Sequence, residues 1–559
     1  MYIKVTKSAG HSYVQLAESF RDESGKSRQR VLCTLGRVDE AGGQVDSILN
    51  ALLRAKGRAA DEPQIEFESA LSLGDVWALH RLWQEVGFDE LARVFRKARY
   101  TTAVEHAIRV MVFNRLCDPD SKLGVLRWLQ TVSMPEIDAS SLTHQQLLRS
   151  MDALMDHQQA VEDVVAQQLR PMVDQDLSLV FYDLTTIGVQ GHSEITDDVR
   201  HYGMSKEGMI ARQFMLGVVQ TAEGLPIYHE VFDGNQAEAP TLLPTLKKVL
   251  ARFPHIRRLI IVADRGLLSL DNMEALQDIE LDDGRTLEFI LAVPARRYGE
   301  FLDILTQFQA KVSDQEQETI DETRWQDMRL VVAHNPIRAK EQTEWRKTQI
   351  NDLEDKAERW AGKLDSQDGG AKHRGRKLSD SGAKARFYHE VKEAHLAKII
   401  KVDMKSDLFT YQLDEKALKQ AELVDGKLLL VTNVTDLTPQ DVVKRYKSLA
   451  DIERGFKVLK SEIEIAPVYH RLPQRIRAHA MICFMALILY RVMRERLKNA
   501  KSSLTPEKAL AQLKRIHRHQ IKVNDRPLTG VSTLTKDQTD LLGALTLKKP
   551  TKKEQLTLL

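Results

Sequence analysis

Cysteine is scarce. Cys33, Cys117 and Cys483 are the only three in 559 residues, they lie far apart, and none belongs to a CxxC pair. That argues against a disulfide framework or a thiolate zinc site and fits a reducing cytosol. The 17 histidines are scattered, with no HExxH and no spaced pairing with cysteine. Long hydrophobic runs are missing: the longest, Met481 to Tyr490, is too short to span a bilayer and reads as a helix buried on all sides. The first twenty residues, MYIKVTKSAGHSYVQLAESF, contain no apolar segment of the kind a secretory signal needs. Nor is there an excess of charge of one sign. The net charge is +2, which neither requires nor excludes nucleic acid, because a basic face can be balanced by acids elsewhere. No internal repeat is visible. What remains is an ordinary soluble composition, 43% hydrophobic and 29% charged.

The pattern divides the chain into segments. Residues 1–60 begin as a small β unit, in which YIKVTK and SYVQLAESF alternate, ESGK is a turn and RQRVLCTLG is a further strand. Residues 61–175 turn helical, with Leu79, Leu82 and Val86 in one periodic stretch and Val110, Met111 and Leu116 in another. Residues 176–300 hold apolar runs (LSLVFYDLT, ARQFMLGVVQT, LPIYHEVFDG), an amphipathic helix from Pro240, and two more runs, RRLIIVADRG and LEFILAVPARR. Three strands, a helix and a strand is the order of an RNase H-like α/β core. Residues 301–425 interrupt it with an insertion expected to be mainly β, although EWRKTQINDLEDKAERWAGKL is charged and helical in pattern. Within it, six cations between Lys372 and Arg386 face one acid, Asp380, and the accompanying glycines and serines suggest a mobile loop. Residues 426–500 resume the core with KLLLVTNV and a helix opened by Thr438 as N-cap and Pro439 at its first position. Residues 501–559 read as a basic tail.

That last helix carries the most informative spacing. Tyr446, Glu453 and Lys460 recur every seven residues, nearly two turns, so an unbroken helix presents them in one row. Val442, Leu449, Ile452, Phe456, Leu459 and Ile463 fall within about 100° of arc and form the core-facing stripe, with the row on its border. Lys457 is next to the row, Lys447 points to solvent, and Asp451 points roughly 160° away from Glu453. A solvated row flanking a core stripe is the ordinary explanation of such a pattern. Two acids weigh against it: Asp183 closes LSLVFYD and Asp264 closes LIIVAD. An acid at the end of a buried strand pays a desolvation penalty that a divalent cation would relieve. Hard oxygen donors suit Mg²⁺, and two such ions can clamp the attacking and leaving oxygens of a phosphoryl displacement.

The constellation resembles the DDE transposases of bacterial insertion sequences, in particular the insertion-sequence-four-like branch with the signature Y-x2-R-x3-E-x6-K. Tyr446, Glu453 and Lys460 stand at those spacings, FYDLTT around Asp183 and VADRGLLS around Asp264 look like the first two acidic motifs, and the likeness covers roughly 177–495. The chain departs at the arginine, where it has Leu449, with Arg445 one turn earlier as a displaced substitute. The resemblance implies that Asp183, Asp264 and Glu453 are catalytic and bind two Mg²⁺ ions, which Mn²⁺ can replace. It implies DNA as partner, both the terminal inverted repeats and the target, a homodimer in the DNA complex, no membrane, and a bacterial cytoplasm, with the protein near the nucleoid. Tyr446, Lys460 and Lys457 would then contact DNA, as would Lys206 in the turn HYGMSKEG. Trp325, with Trp345 and Trp360 in the same insertion, would be placed to stack on a flipped base. Two other readings compete. An aspartyl phosphatase at DLTT lacks the second acid two residues on, where Thr185 stands, and a non-catalytic DNA-binding relic leaves three intact acids unexplained.

Overall fold

The computed structural model describes residues 1–37, 51–53, 55–56, 65–100, 102–173, 178–191, 195, 198–204, 208, 210–237, 239–254, 256, 258–263, 287–312, 317–369, 377–523 and 526–550, of which 178, 179, 183, 239, 263 and 449–454 are described in their backbone only. These residues form two compact units.

The smaller unit takes Met1–Leu71 and His517–Ser532. Its first sheet is antiparallel, Tyr2–Ser8 against His11–Arg21 and that strand against Ser27–Arg37. Asp22 organises the second turn by accepting from Ser24 N and Lys26 N, and Gly25 takes the positive φ the turn requires. A second sheet joins Ile65–Ser72 to the hairpin His517–Val523/Arg526–Val531. The segment expected as a basic tail therefore contributes a hairpin here, and in the larger unit it contributes the helices Pro506–Leu513 and Lys536–Ala544. Residues 551–559 lie outside the described residues.

The larger unit is built on a nine-stranded sheet. Pro226–Asp233, Ile210–Thr221 and Ser178–Gly188 are antiparallel neighbours, and Ser178–Gly188, Leu259–Ala263 and Glu288–Ala292 are parallel. In chain order these five strands run 3-2-1-4-5 across the sheet, the arrangement expected of an RNase H-like core. Val180, Phe181, Tyr182 and Leu184 are all fully buried, as a central strand covered on both faces requires. On one face Phe181, Ile260, Val262 and Ile290 pack with Val442 and Val443 of the helix Pro439–Lys447. On the other, the Tyr182 hydroxyl donates to Thr241 Oγ1 at 2.7 Å, beside the helix Leu242–Arg252.

The helices Val104–Cys117 and His144–Asp156 pack against Pro473–Asn499, which also packs on Pro226–Asp233. Residues Ala478–Tyr490 of that long helix are buried without interruption, and 89% of its apolar window is inside the fold. The all-round burial expected of Met481–Tyr490 is thus what the helix shows. The helical region and the sheet share this core and lie in one unit.

The insertion is not mainly β. It contributes Thr319–Trp325 and Met328–His334, which extend the central sheet beyond Lys427–Thr432, and a two-stranded sheet of Ile400–Val402 and Tyr411–Leu413, but most of its described residues are helical. Its main body is the helix Pro336–Asp368, capped by Asn335 accepting from Arg338 N, followed by Asp380–Glu393 and Glu415–Val424. Ile350, Leu353 and Ala357 pack with Phe387 and Val391 in a local core. Good helix formers and a stripe at helical spacing outweigh the short β-like runs there. The expected mobile loop is half helix: Ser379 caps Asp380–Glu393, Lys384 is buried and donates to Ser406 O, and 370–376 lie outside the described residues.

Phe181 is fully buried in the strand that carries Asp183, whereas Phe67 is 80% exposed. Phe181→Ala is expected to lower stability by about 3–5 kcal/mol and Phe67→Ala by less than about 0.5 kcal/mol, as read from urea unfolding.

Candidate active site

The site starts from one register. Ser178–Gly188 and Leu259–Ala263 pair in parallel from Ser178↔Leu259 to Tyr182↔Ala263. Asp183 follows Tyr182, and in sequence Asp264 follows Ala263. Asp264 itself lies outside the described residues, and so does the side chain of Asp183. Asp183 does not end its strand, as the sequence pattern suggested: the strand continues to Gly188, paired with Gln213 on its other edge. LTTIG is also β-prone, so the strand runs on past the acid.

Two helices close over the Phe181 face. Pro439–Lys447 begins as its sequence dictates, with Thr438 Oγ1 accepting from Asp441 N at 3.1 Å and Pro439 in the first turn. Leu449–Ser461 follows and packs on Ser178–Gly188. The single unbroken helix expected from the seven-residue spacing is interrupted at Ser448, whose hydroxyl donates to Arg445 O at 2.6 Å, the kind of side-chain bond that competes with helix. Tyr446 therefore belongs to the first helix, and Glu453 and Lys460 to the second. Val442, Phe456, Leu459 and Ile463 are buried as the stripe requires. The side chains of Leu449, Asp451, Ile452 and Glu453 are not among those described.

The proposed DNA contacts are differently placed. Tyr446 is half-buried and packs on the Phe181 cluster. Lys460 is half-buried and Lys457 exposed. Lys447, expected to face solvent, is exposed and pairs with Glu318 at 2.5 Å. Lys206 lies outside the described residues. Trp325 is half-buried at its strand end with its ring 5.3 Å from that of Phe301, Trp360 packs among Phe387 and Phe409, and Trp345 is 54% exposed.

Sequence reading missed the supports of the second helix. Gly455 is buried, and a Cβ there would lie 3.0 Å from both amide atoms of Gln220 and from Arg491 Nη2. Gln220 pairs with Phe181 across the ladder, is fully buried, and neither of its amide atoms has a hydrogen-bond partner among the described residues. Arg445 Nη1 is another buried atom without one. The signal for Gln220 was present, a single amide ending the apolar run LGVVQ. Among the described residues no group of three His, Cys, Asp or Glu is placed to hold a metal.

Comparison with protein families supplies the context for this geometry. Residues 174–489 match the model of the transposase DDE domain, and residues 3–64 match that of the IS1634 family transposase N-terminal domain. The first match spans more than half of the chain, and the chain belongs to the DDE transposases. It is accordingly a transposase with an RNase H-like catalytic fold. A search of curated proteins found no match.

Because Gly455 has no room for a larger side chain, Gly455→Val is expected to destabilise the protein by about 1–3 kcal/mol. Combining it with Gln220→Ala should recover part of that loss, and a double-mutant cycle by urea denaturation measures the coupling.

Proposed function

We propose that the chain is the transposase of an insertion sequence, binding the element's terminal inverted repeats and catalysing strand cleavage and strand transfer. The observation that carries this reading is the Tyr182↔Ala263 register, which leaves each acid one peptide bond beyond a paired residue on adjacent parallel strands. Phe181 and Val262, two positions before the acids, share the cluster under Pro439–Lys447. Side chains alternate along a strand, so the period assigns position 183 to that same face. Leu449–Ser461 packs there too and brings Glu453.

Asp183, Asp264 and Glu453 are then the catalytic residues and the metal ligands. Three carboxylates are a hard, all-oxygen donor set that fits Mg²⁺ or Mn²⁺. Bound there, the pair of ions supplies activation of the attacking hydroxyl, from water for nicking and from a DNA 3′ end for strand transfer. The protein's own part is to hold the carboxylates in register on strand and helix and to hold the DNA. Lys460, on the helix of Glu453, and the exposed Lys457 meet backbone phosphates as point charges. Tyr446 and Lys206 add contacts to the same strand, and Trp325 stacks on an extruded base. Residues 1–60, together with the helical region up to 175, read the terminal repeats, and two copies act together in the DNA complex.

Purified protein incubated with its own element ends and Mg²⁺ should nick at the element boundary, as mapped on sequencing gels. Glu453→Gln should lower that cleavage by orders of magnitude while end binding persists, and Asp451→Asn should leave it nearly unchanged. Equal losses from both would overturn the assignment. A crystal structure with Mg²⁺ should place the three carboxylates within about 10 Å of one another, the reach of a two-metal centre. Lys460→Ala should weaken DNA binding and reduce its salt slope by about one unit, measured by titration at several salt concentrations.

A further inference from the structure

A cavity of about 770 Å³ lies outside this site, walled by residues 119–123, by the helix His144–Asp156 and by residues 464–479. It follows directly on the helix that carries Lys460. Lys122 lines it. This lysine is 6% exposed, stands at the first position of the helix Lys122–Leu129, and its ammonium has no hydrogen-bond or ion-pair partner among the described residues. Both placements are unfavourable: a buried cation lacks its hydration, and a cation at a helix N-terminus opposes the macrodipole. The Ser121 hydroxyl accepts from Gly124 N, so the helix start is otherwise ordinary.

The neighbours do not compensate Lys122. Arg115 is itself cationic and spends its donors on Asn114 Oδ1, Asp120 O and Glu464 O. Asp120 pairs outward with Arg127, and Arg475 and Asp152 neutralise each other through bonds of 2.7 and 2.8 Å. His479 leaves its buried Nδ1 without a partner. Burial and then the field of Arg115 push Lys122 down to about 7, and burial and then Lys122 push His470 down to about 4. The wall thus sets the cations Lys122, Arg115 and Arg475 among histidines that burial keeps neutral, with Asp120 and Glu464 also in the lining. At the rim stand large side chains left in water, Tyr469 at 69%, Leu123 at 56% and Leu472 at 41% exposed.

We propose that this cavity takes an unstacked nucleotide of a single-stranded DNA segment, its phosphate meeting Lys122 at the helix N-terminus and its base lying on Tyr469. A buried cation at the N-terminal amides of a helix is an anion site. The volume suits a nucleotide-sized ligand, and an exposed aromatic at the mouth is the usual platform for an unpaired base. The inference rests on the reading that DNA is the partner.

The test measures binding of the full chain to a fluorescent short single strand and to a duplex, by anisotropy. Lys122→Met should weaken single-strand binding at least tenfold and leave duplex binding within about twofold. Tyr469→Ala, at an exposed position that folding does not need, should weaken the single strand about tenfold. Inorganic phosphate should compete with the single strand on the unaltered protein and not on Lys122→Met. The ligand-free Lys122→Met protein should melt at a higher temperature, since it no longer buries an unpaired charge; a structural lysine would give the opposite. Unchanged single-strand binding in both variants, or a lowered melting temperature for Lys122→Met, overturns the proposal while duplex binding leaves the DNA reading intact. Phosphate binding without any single-strand affinity makes this a site for the free anion and overturns it too. Failure to bind either DNA overturns the DNA reading itself.

Discussion

The parallel ladder between Ser178–Gly188 and Leu259–Ala263 is the constraint on which the rest of the larger unit depends. A one-residue slip in that register would turn every side chain of one strand to the opposite face. It would take Val262 out of the cluster with Phe181 and Val442, and the two acids would no longer follow paired residues. The apolar cluster therefore guards the register. Further along the sheet, Arg258 bonds both Glu288 and Asp436, tying the start of one parallel strand to its neighbour and to the loop before Pro439–Lys447.

Among the described residues, some of the buried polar atoms without a hydrogen-bond partner lie at the helices that cover this ladder. Gln220 lies against the second, Arg445 Nη1 belongs to the first, and His479 Nδ1 lies at the cavity that follows, which Lys122 also lines. Burying such groups is costly, and natural chains tolerate the cost where function uses it. Other buried charges of the same unit form ion pairs: Asp198 bonds Arg200 and Arg212, and Arg346 bonds Asp425.

Much of this was legible in the chain. The apolar runs ending in Asp183 and Asp264 mark central strands because a strand covered on both faces must be apolar on both. The burial of Met481–Tyr490 followed from its hydrophobicity all round, and the cap at Thr438 from two residues. The insertion was misread because short β-prone pieces such as LFTYQLD were weighed above a long charged helix. The strands Thr319–Trp325, Met328–His334, Ile400–Val402 and Tyr411–Leu413 do exist, the last within LFTYQLD, but helices make up most of the insertion and supply most of its own core.

Local pattern by itself determined the strand and helix identities near the acids, because side-chain period and capping are properties of neighbouring residues. It also determined the resemblance that led to a DDE transposase. Only the tertiary structure decided which strands adjoin, that Ser448 divides the helix before Glu453, that Gln220 and Arg491 leave no room at Gly455, and that Lys122 is buried without a partner. Each of these depends on contacts between segments distant in the chain, and no local spacing encodes them.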